Sequence, residues 1–263
     1  SDNLARLNKS AERLQMPKLD EDLAIEAIKE FISVQKNWIP LRTQGSLYIR
    51  PFMLAMDNTL RAIPSKSYRF MVIACPVGFY YDHALKIKLE RDYRRAATGG
   101  VGFAKAAGNY AASFKPSQIA KDLGYDQVIW TDITNNYTLE ELGSANFFYT
   151  KGNTLITPKL KDSILAGITR DTVISLAKDN GIEVHELLVT ADEFEAELKA
   201  GLVTSMFATG TAASITLVNN ITIDDRTYIV SSEQNKNIAI IKDQIDAVKF
   251  LDTDIHPEWN FVV

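Results

Sequence analysis

Short strand-like runs alternate with helical patterns between residues 85 and 250, and this alternation limits the chain to a small set of folds. Short apolar runs bounded by turn residues predict strands, whereas apolar residues three or four positions apart predict helices. Strands are predicted at 85–89, 127–130, 146–149, 154–156, 182–188, 203–208 and 215–218, and helices at 109–123, 169–180 and 236–250. The pattern predicts a mixed α/β (α+β) domain.

The N-terminal part has a different pattern, with two helices followed by two strands. Apolar residues recur at helical spacing over the first 35 residues, and Pro17 separates the two predicted helices. Because the chain enters directly on a helix, we expect that an N-terminal part of this region is absent. The predicted strands lie at 46–53 and 68–75 with a connection over 76–83, and the predicted domains are a small one over 1–83 and a large one over 84–263.

Composition and charge exclude several classes of function. With 46% apolar residues, a net charge of -4 and a pI of about 5.5, the chain has no basic excess that predicts nucleic-acid binding. No apolar stretch approaches the ~20 residues of a membrane span. Cys75 lies in an apolar run and is predicted to be a buried structural thiol, and a single cysteine fits a reducing, cytoplasmic location.

No metal site or hydrolase motif is expected. The three histidines are far apart in sequence and lack ligand spacing. They are His83, His185 and His256. The chain has no Gly-x-Ser-x-Gly segment that would place a nucleophilic serine on a tight turn.

One lysine stands in a glycine-rich segment, Gly99 to Tyr110, with the sequence GGVGFAKAAGNY. Small apolar neighbours predict that desolvation lowers the pKa of the Lys105 ammonium, as a Schiff-base amine requires. The same pattern also fits a solvated loop lysine. A phosphate loop is disfavoured, because the glycine spacing does not match Gly-x-x-x-x-Gly-Lys-Ser/Thr.

Six ordered motifs resemble the branched-chain aminotransferases of the fold-type IV pyridoxal-phosphate enzymes, and with the closing EWNFVV the likeness covers essentially the whole chain. The motifs are Tyr48-Ile49-Arg50-Pro51, Pro76-Val77-Gly78, the Lys105 segment, Glu140 to Asn146, Gly167-Ile168-Thr169-Arg170 and Thr209-Gly210-Thr211-Ala212. The resemblance implies a fold with a small α/β domain, a larger mixed domain and the cofactor between them. It also implies that further residues usually precede this part of the chain.

For the cofactor, the resemblance implies a Schiff base between pyridoxal 5'-phosphate and Lys105, which also acts as general acid/base. Tyr110 matches the family residue at the phenolic oxygen, and Glu141 matches the carboxylate at the pyridine nitrogen. The phosphate would be bound by three further groups. They are the backbone of Ile168 and Thr169 at a helix start, the Thr211 hydroxyl, and Arg6 of the first helix.

For the substrate, the resemblance implies that the backbone of Thr211 and Ala212 receives the α-carboxylate. Tyr48 and Arg50 would line the side-chain pocket, with Ser144 nearby where the family commonly has threonine. Several positions also have a plainer interpretation. Tyr48 and Arg50 fit an exposed edge strand, Tyr110 a core aromatic, Arg6 a solvated helix charge, and Glu140 with Glu141 a solvated pair of acids.

The implied function is ping-pong transamination of leucine, isoleucine or valine with 2-oxoglutarate by a homodimer. The alternatives are a D-amino acid aminotransferase or an aminodeoxychorismate lyase of the same fold, and an inactive truncated homologue. The Tyr48-Ile49-Arg50-Pro51 segment and the closing residues favour the first function over the other two enzymes. The sequence departs from some animal members, since Ala213 and Thr216 replace a Cys-x-x-Cys pair.

Overall fold

The computed structural model describes residues 1–78, 83–132, 134 and 136–263. The chain divides into two compact units, one formed by Ser1–Tyr80 with Phe261–Val263 and the other by Tyr81–Asn260. The connection predicted over 76–83 lies partly outside the described residues. The assignment of 1–83 as a small domain and 84–263 as a large cofactor-binding domain stays a prediction.

The first unit contains two helices and one antiparallel strand pair. The elements are α1 (Asp2–Arg13), α2 (Glu21–Gln35), a 3-10 turn (Lys36–Trp38), β1 (Ser46–Ala55) and β2 (Tyr68–Val77). Asp20 caps α2, because its side chain accepts the Leu23 N–H. The break between the helices is fixed by buried Asn8, whose side chain accepts the Leu19 N–H and donates to the Leu19 carbonyl.

The strand pair extends beyond its predicted ends and includes Pro76. Within the described residues β2 pairs with β1 alone, and an edge strand tolerates a residue without an N–H. The prediction of a buried thiol is wrong, since Cys75 is exposed and Ile73 is 50% exposed. The apolar run does not bury Cys75, because a two-stranded sheet cannot cover both of its faces.

The second unit is built on a mixed sheet that has nine strands among the described residues. The predicted strands and helices of this region are confirmed, with ends that shift by a few residues. The strands are β3 (Leu85–Leu89), β4 (Gln127–Asp132), β5 (Thr138–Leu142), β6 (Asn146–Lys151), β7 (Thr154–Pro158), β8 (Glu183–Leu187), β9 (Val203–Gly210), β10 (Ser214–Ile223) and β11 (Arg226–Ile229). Their order across the sheet is β5-β4-β3-β10-β9-β6-β7-β8, with β11 paired to β10. The helices are α3 (Gly108–Asp122), α4 (Ile168–Asp179), α5 (Ala191–Lys199) and α6 (Lys236–Lys249), with 3-10 turns at Ser232–Gln234 and Pro257–Trp259.

Three elements, β5, α5 and β11, are absent from the sequence prediction. β5 contains two acids in five residues, so it lacks the apolar run that marks a strand, although all five of its residues are buried. α5 has a local signal, because Thr190 and Glu193 form a capping box. β11 is short and largely exposed, and only its pairing with β10 defines it.

Alternation along β6 places large aromatic side chains in the cores on both faces of the sheet. Phe147 and Tyr149 contact Phe194 of α5, with ring centroids 5.9 and 4.9 Å apart. Phe148 points to the other face, stacks on Phe207 at 5.0 Å and joins the core that α4 and α6 cover. Fully burying such a side chain contributes about 1.5–3 kcal/mol. The sheet is therefore a firm support for the loops that leave its strands.

None of the helices in the described part of the chain combines the length and apolar character required to span a bilayer.

Candidate active site

The segment that carries Lys105 is a closely packed loop between β3 and α3. Asn109 holds it closed, because its side-chain amide donates to the carbonyls of Val101 at 2.8 Å and Ala104 at 2.7 Å. A Cβ at Gly102 would lie 2.8 Å from Ser163 Cα, so this close approach requires glycine. The loop backbone is therefore fixed against a second segment of the chain.

Lys105 is exposed at the end of this loop. Its alanine and glycine neighbours are too short to cover the side chain, and the predicted lowering of its pKa stays a prediction. Tyr110 lies in the first turn of α3 and is 40% exposed, so it is not a core aromatic. Both side chains are accessible to a bound molecule.

The two acids of β5 point in different directions and are both buried, which excludes a solvated pair. Glu140 accepts a hydrogen bond from the Ser163 hydroxyl. Glu141 Oε2 accepts the Leu165 N–H at 3.0 Å, and Oε1 lies 3.0 Å from Arg95 Nε. The Arg95 contact is ionic, since its Nε–H is not aligned for a hydrogen bond.

Burial dominates the electrostatics of the Glu141 carboxyl. Burial raises the pKa of Glu141 from 4.5 to about 7, and the charges of Arg95 and Lys105 oppose that shift. A buried carboxylate that is so incompletely stabilised is suited to a further cationic partner, such as a protonated ring nitrogen.

The start of α4 follows shortly after Leu165, the residue whose N–H donates to Glu141. Gly167 precedes the helix, which begins at Ile168, one residue before the predicted bound. The first N–H groups of a helix have no intrahelical acceptor and carry positive partial charge, so those of Ile168 and Thr169 are suited to an anion. Asn146 fixes the approach to the helix by donating to the Leu165 carbonyl at 2.9 Å, and a Cβ at Gly167 would collide with Asn146 Oδ1.

Two turns bring the predicted substrate residues of this unit to the same end of the sheet. Asn146 of β6 pairs with Thr209 of β9, so the β5–β6 turn lies beside the β9–β10 turn. A Cβ at Gly210 would lie 3.6 Å from the Ser144 carbonyl, which shows how closely the turns approach. The exposed residues of these turns are Ser144, Thr211 and Ala212.

The remaining predicted residues lie in the first unit. Arg6 is half-buried on α1, where its guanidinium donates to Asn3 Oδ1 at 3.2 Å. Tyr48 and Arg50 share one face of β1, and the Arg50 guanidinium lies 5.2 Å from the Tyr48 ring centroid. Their association with the Lys105 site stays a prediction.

Several residues that build the site are absent from the sequence prediction. Arg95 contacts Glu141 and also donates to the carbonyls of Gly102 and Ser163. No local pattern identifies such residues, because their contacts join segments as far as 68 residues apart in sequence. The others are Asn146, Lys161, Asp162, Ser163 and Leu165.

The described residues of the site form no arrangement typical of a metal centre. Across the ranges that the structure describes, no group of three or more His, Cys, Asp or Glu side chains is arranged to hold a metal ion. The donors and acceptors that the site offers instead are an amine, a carboxylate and backbone N–H groups, which suit an organic anion with a cationic ring.

Comparison with known proteins then identifies the family. Residues 1–221 match the model of the amino-transferase class IV family. The chain belongs to this family. It is 45% identical over 236 residues to branched-chain-amino-acid transaminase 1 of Bacillus subtilis, covering 88% of this chain and 66% of that protein. A probable branched-chain-amino-acid aminotransferase of Staphylococcus aureus is 42% identical, with 90% and 68% covered.

A solved structure confirms the class IV fold. The branched-chain aminotransferase of the archaeon Thermoproteus uzoniensis with norvaline superposes with a TM-score of 0.80 at 27% identity, over 98% of this chain and 81% of that one. The expected mixed α/β fold of the fold-type IV aminotransferases is therefore confirmed. The chain spans about two thirds of the length of the curated relatives it matches.

Proposed function

We propose that this protein catalyses pyridoxal-phosphate-dependent transamination of branched-chain L-amino acids with 2-oxoglutarate. The observation that best supports this proposal is that one segment, residues 162–167, contacts the Lys105 loop and the buried Glu141 carboxyl and leads directly into the start of α4. Membership of class IV and the names of relatives at 42% and 45% identity support the reaction and the substrates leucine, isoleucine and valine.

The described residues fit the cofactor. Lys105 would hold it covalently through Nζ, and Glu141 would bind its ring nitrogen, for which the incompletely stabilised carboxylate is suited. When bound, pyridoxal phosphate supplies an electron sink that stabilises negative charge on the substrate Cα. The groups that would bind its oxygens are the Tyr110 hydroxyl at the phenolic oxygen and, at the phosphate, the N–H groups of Ile168 and Thr169, the Thr211 hydroxyl and the Arg6 guanidinium.

The chain itself then has two chemical tasks. Lys105 Nζ, once released by the incoming amine, would accept the proton from the substrate Cα as general base and give it back as general acid. Glu141 would remain ionised against a cationic partner, held by Arg95 and the Leu165 N–H so that it needs no rearrangement during the reaction.

For the substrate, we assign the α-carboxylate to the backbone N–H groups of Thr211 and Ala212, with the Ser144 hydroxyl in the adjacent turn. Tyr48 and Arg50 would line the side-chain pocket, where the guanidinium suits the second carboxylate of glutamate and the aromatic ring suits an aliphatic chain. We also propose a homodimer and a cytoplasmic location.

The test is a spectral titration of the purified chain with pyridoxal phosphate, followed by leucine and 2-oxoglutarate. We expect a visible absorbance band that shifts on adding leucine, and formation of glutamate. Lys105→Ala should abolish both, whereas Lys121→Ala, a matched change at an exposed lysine of α3, should abolish neither.

Each other outcome has a distinct meaning. Activity retained in Lys105→Ala would refute the assignment of the nucleophile. Preference for D-alanine over L-leucine would favour a D-amino acid aminotransferase. A chain that shows neither band nor turnover would favour an inactive homologue.

A further inference from the structure

The segment between β7 and α4, residues 159–167, contacts several parts of the site in the second unit. Its Asp162 carbonyl accepts the Phe103 N–H at 2.8 Å, and the Asp162 side chain accepts the Gly99 N–H at 3.2 Å. Its Ser163 carbonyl accepts from Arg95, and its Leu165 N–H donates to Glu141. The position of this segment therefore determines the positions of the Lys105 loop and of the Glu141 carboxylate.

A lysine of the segment also fixes it to β4 and β5. Lys161 inserts Nζ between two buried acids, 2.9 Å from Asp132 Oδ2 and 3.4 Å from Glu140 Oε1, and donates to Thr138 Oγ1 at 3.1 Å. The two acids are 4% and 1% exposed. A lysine with only 14% of its side chain exposed loses most of its hydration, which these oxygens replace.

We infer that Lys161 is a positioning residue, which anchors residues 159–167 and through them holds the Lys105 loop and Glu141 in one arrangement. The inference rests on the proposed function only for its effect on cofactor binding. Its effect on the loops follows from the contacts alone.

The charge of Lys161 is essential to the anchor. Without it, Asp132 and Glu140 would share a buried space with no ammonium between them. Burial already raises the pKa of Glu140, and the Lys161 charge opposes that rise. Removal of the ammonium therefore leaves acids that must take up a proton or separate, and separation moves β5 or the anchored segment.

The experiment compares Lys161→Met with Lys159→Met, a matched change two residues away at an exposed lysine of the same segment. Amide hydrogen exchange is followed for peptides covering 99–108, 159–167 and the core strand β9. In Lys161→Met we expect exchange about tenfold faster at 99–108 and 159–167 but unchanged in β9, which indicates local opening. Lys159→Met should match the wild type in all three peptides.

The second readout is affinity for pyridoxal phosphate. Lys161→Met should weaken it about tenfold, with Lys159→Met unchanged. If the wild type binds no pyridoxal phosphate, the proposed function fails, while the exchange experiment still tests Lys161.

Three results would overturn the inference. They are equal acceleration in β9, no acceleration at 99–108, and unchanged cofactor affinity in the variant when the wild type binds. Should Lys161→Met not fold, Lys161→Gln, which keeps a donor but removes the charge, is judged by the same outcomes.

Discussion

Substitution of Glu141 by glutamine should change how the stability of the second unit depends on pH. Glu141 is 6% exposed, and burial raises the pKa of its carboxyl in the folded protein from 4.5 to about 7. Below the lower value, the group is protonated in both the folded and the unfolded chain. Between the two values the unfolded chain releases its proton while the folded chain keeps it, so the free energy of unfolding falls as the pH rises.

The size of this effect follows from the two pKa values. The difference between 4.5 and about 7 corresponds to about 3 kcal/mol at roughly 1.4 kcal/mol per pH unit. Glu141→Gln cannot titrate, so the free energy of unfolding of the wild type minus that of the variant should fall by about 3 kcal/mol between about pH 4 and about pH 8. A constant offset from the altered contact with the Leu165 N–H does not affect this change with pH.

The assay is urea unfolding of the cofactor-free protein at each pH. Fluorescence of Trp130, which is fully buried in β4, reports the second unit in a background where Trp38 and Trp259 are replaced by phenylalanine. Bound pyridoxal phosphate should flatten the profile, because a cationic ring nitrogen lowers the pKa of the carboxyl. A flat difference profile without cofactor would contradict the effect of burial, and a slope that persists at saturating cofactor would show that Glu141 does not face the ring.

Two further predictions concern the loop and the C-terminal segment. Gly102→Ala should destabilise the protein by about 1–3 kcal/mol, because the added Cβ would collide with the backbone of the 159–167 segment. Gly108→Ala is the control, since no atom lies within 4 Å of a Cβ at that position. Equal urea midpoints for the two variants would contradict this prediction. The His256 ring stacks on the Trp259 ring, with centroids 3.9 Å apart. Hydrogen bonds to the carboxylates of Asp179, the larger effect, and Glu258 raise the pKa of His256. The ion pairs of protonated His256 contribute fully to stability below pH 6.5, its pKa in the unfolded chain, and are lost as the pH rises through its higher pKa in the folded protein. Trp259 fluorescence should therefore change with pH above 6.5, and His256→Ala should remove that transition.

Much of the fold follows from the sequence because the signals are local. The period of apolar residues identifies both helices of the first unit and most strands of the second, and Gly167 marks the start of α4. β5 escapes prediction, because its acids make it resemble a loop until the sheet and the 159–167 segment surround it.

For the candidate site too, the sequence predicts some features and not others. Ordered motifs predict roles for Lys105 and Glu141, because these motifs depend only on residue types and their order along the chain. Burial and exposure are harder to predict from sequence. The prediction of a buried thiol at Cys75 is wrong, and the Lys105 side chain is exposed although its neighbours are small and apolar. A run of apolar residues does not say which of its faces is covered.

Most element types, the family and the candidate residues for the proposed chemistry can be predicted from the chain alone. Only the tertiary structure shows that Arg95 contacts Glu141 and that Lys161 lies between two buried acids. It also shows that the 159–167 segment contacts Glu141. The reason is physical. Hydrophobic periodicity acts between neighbours in the chain, whereas the pKa of a buried carboxylate depends on charges brought close by the folding of distant segments.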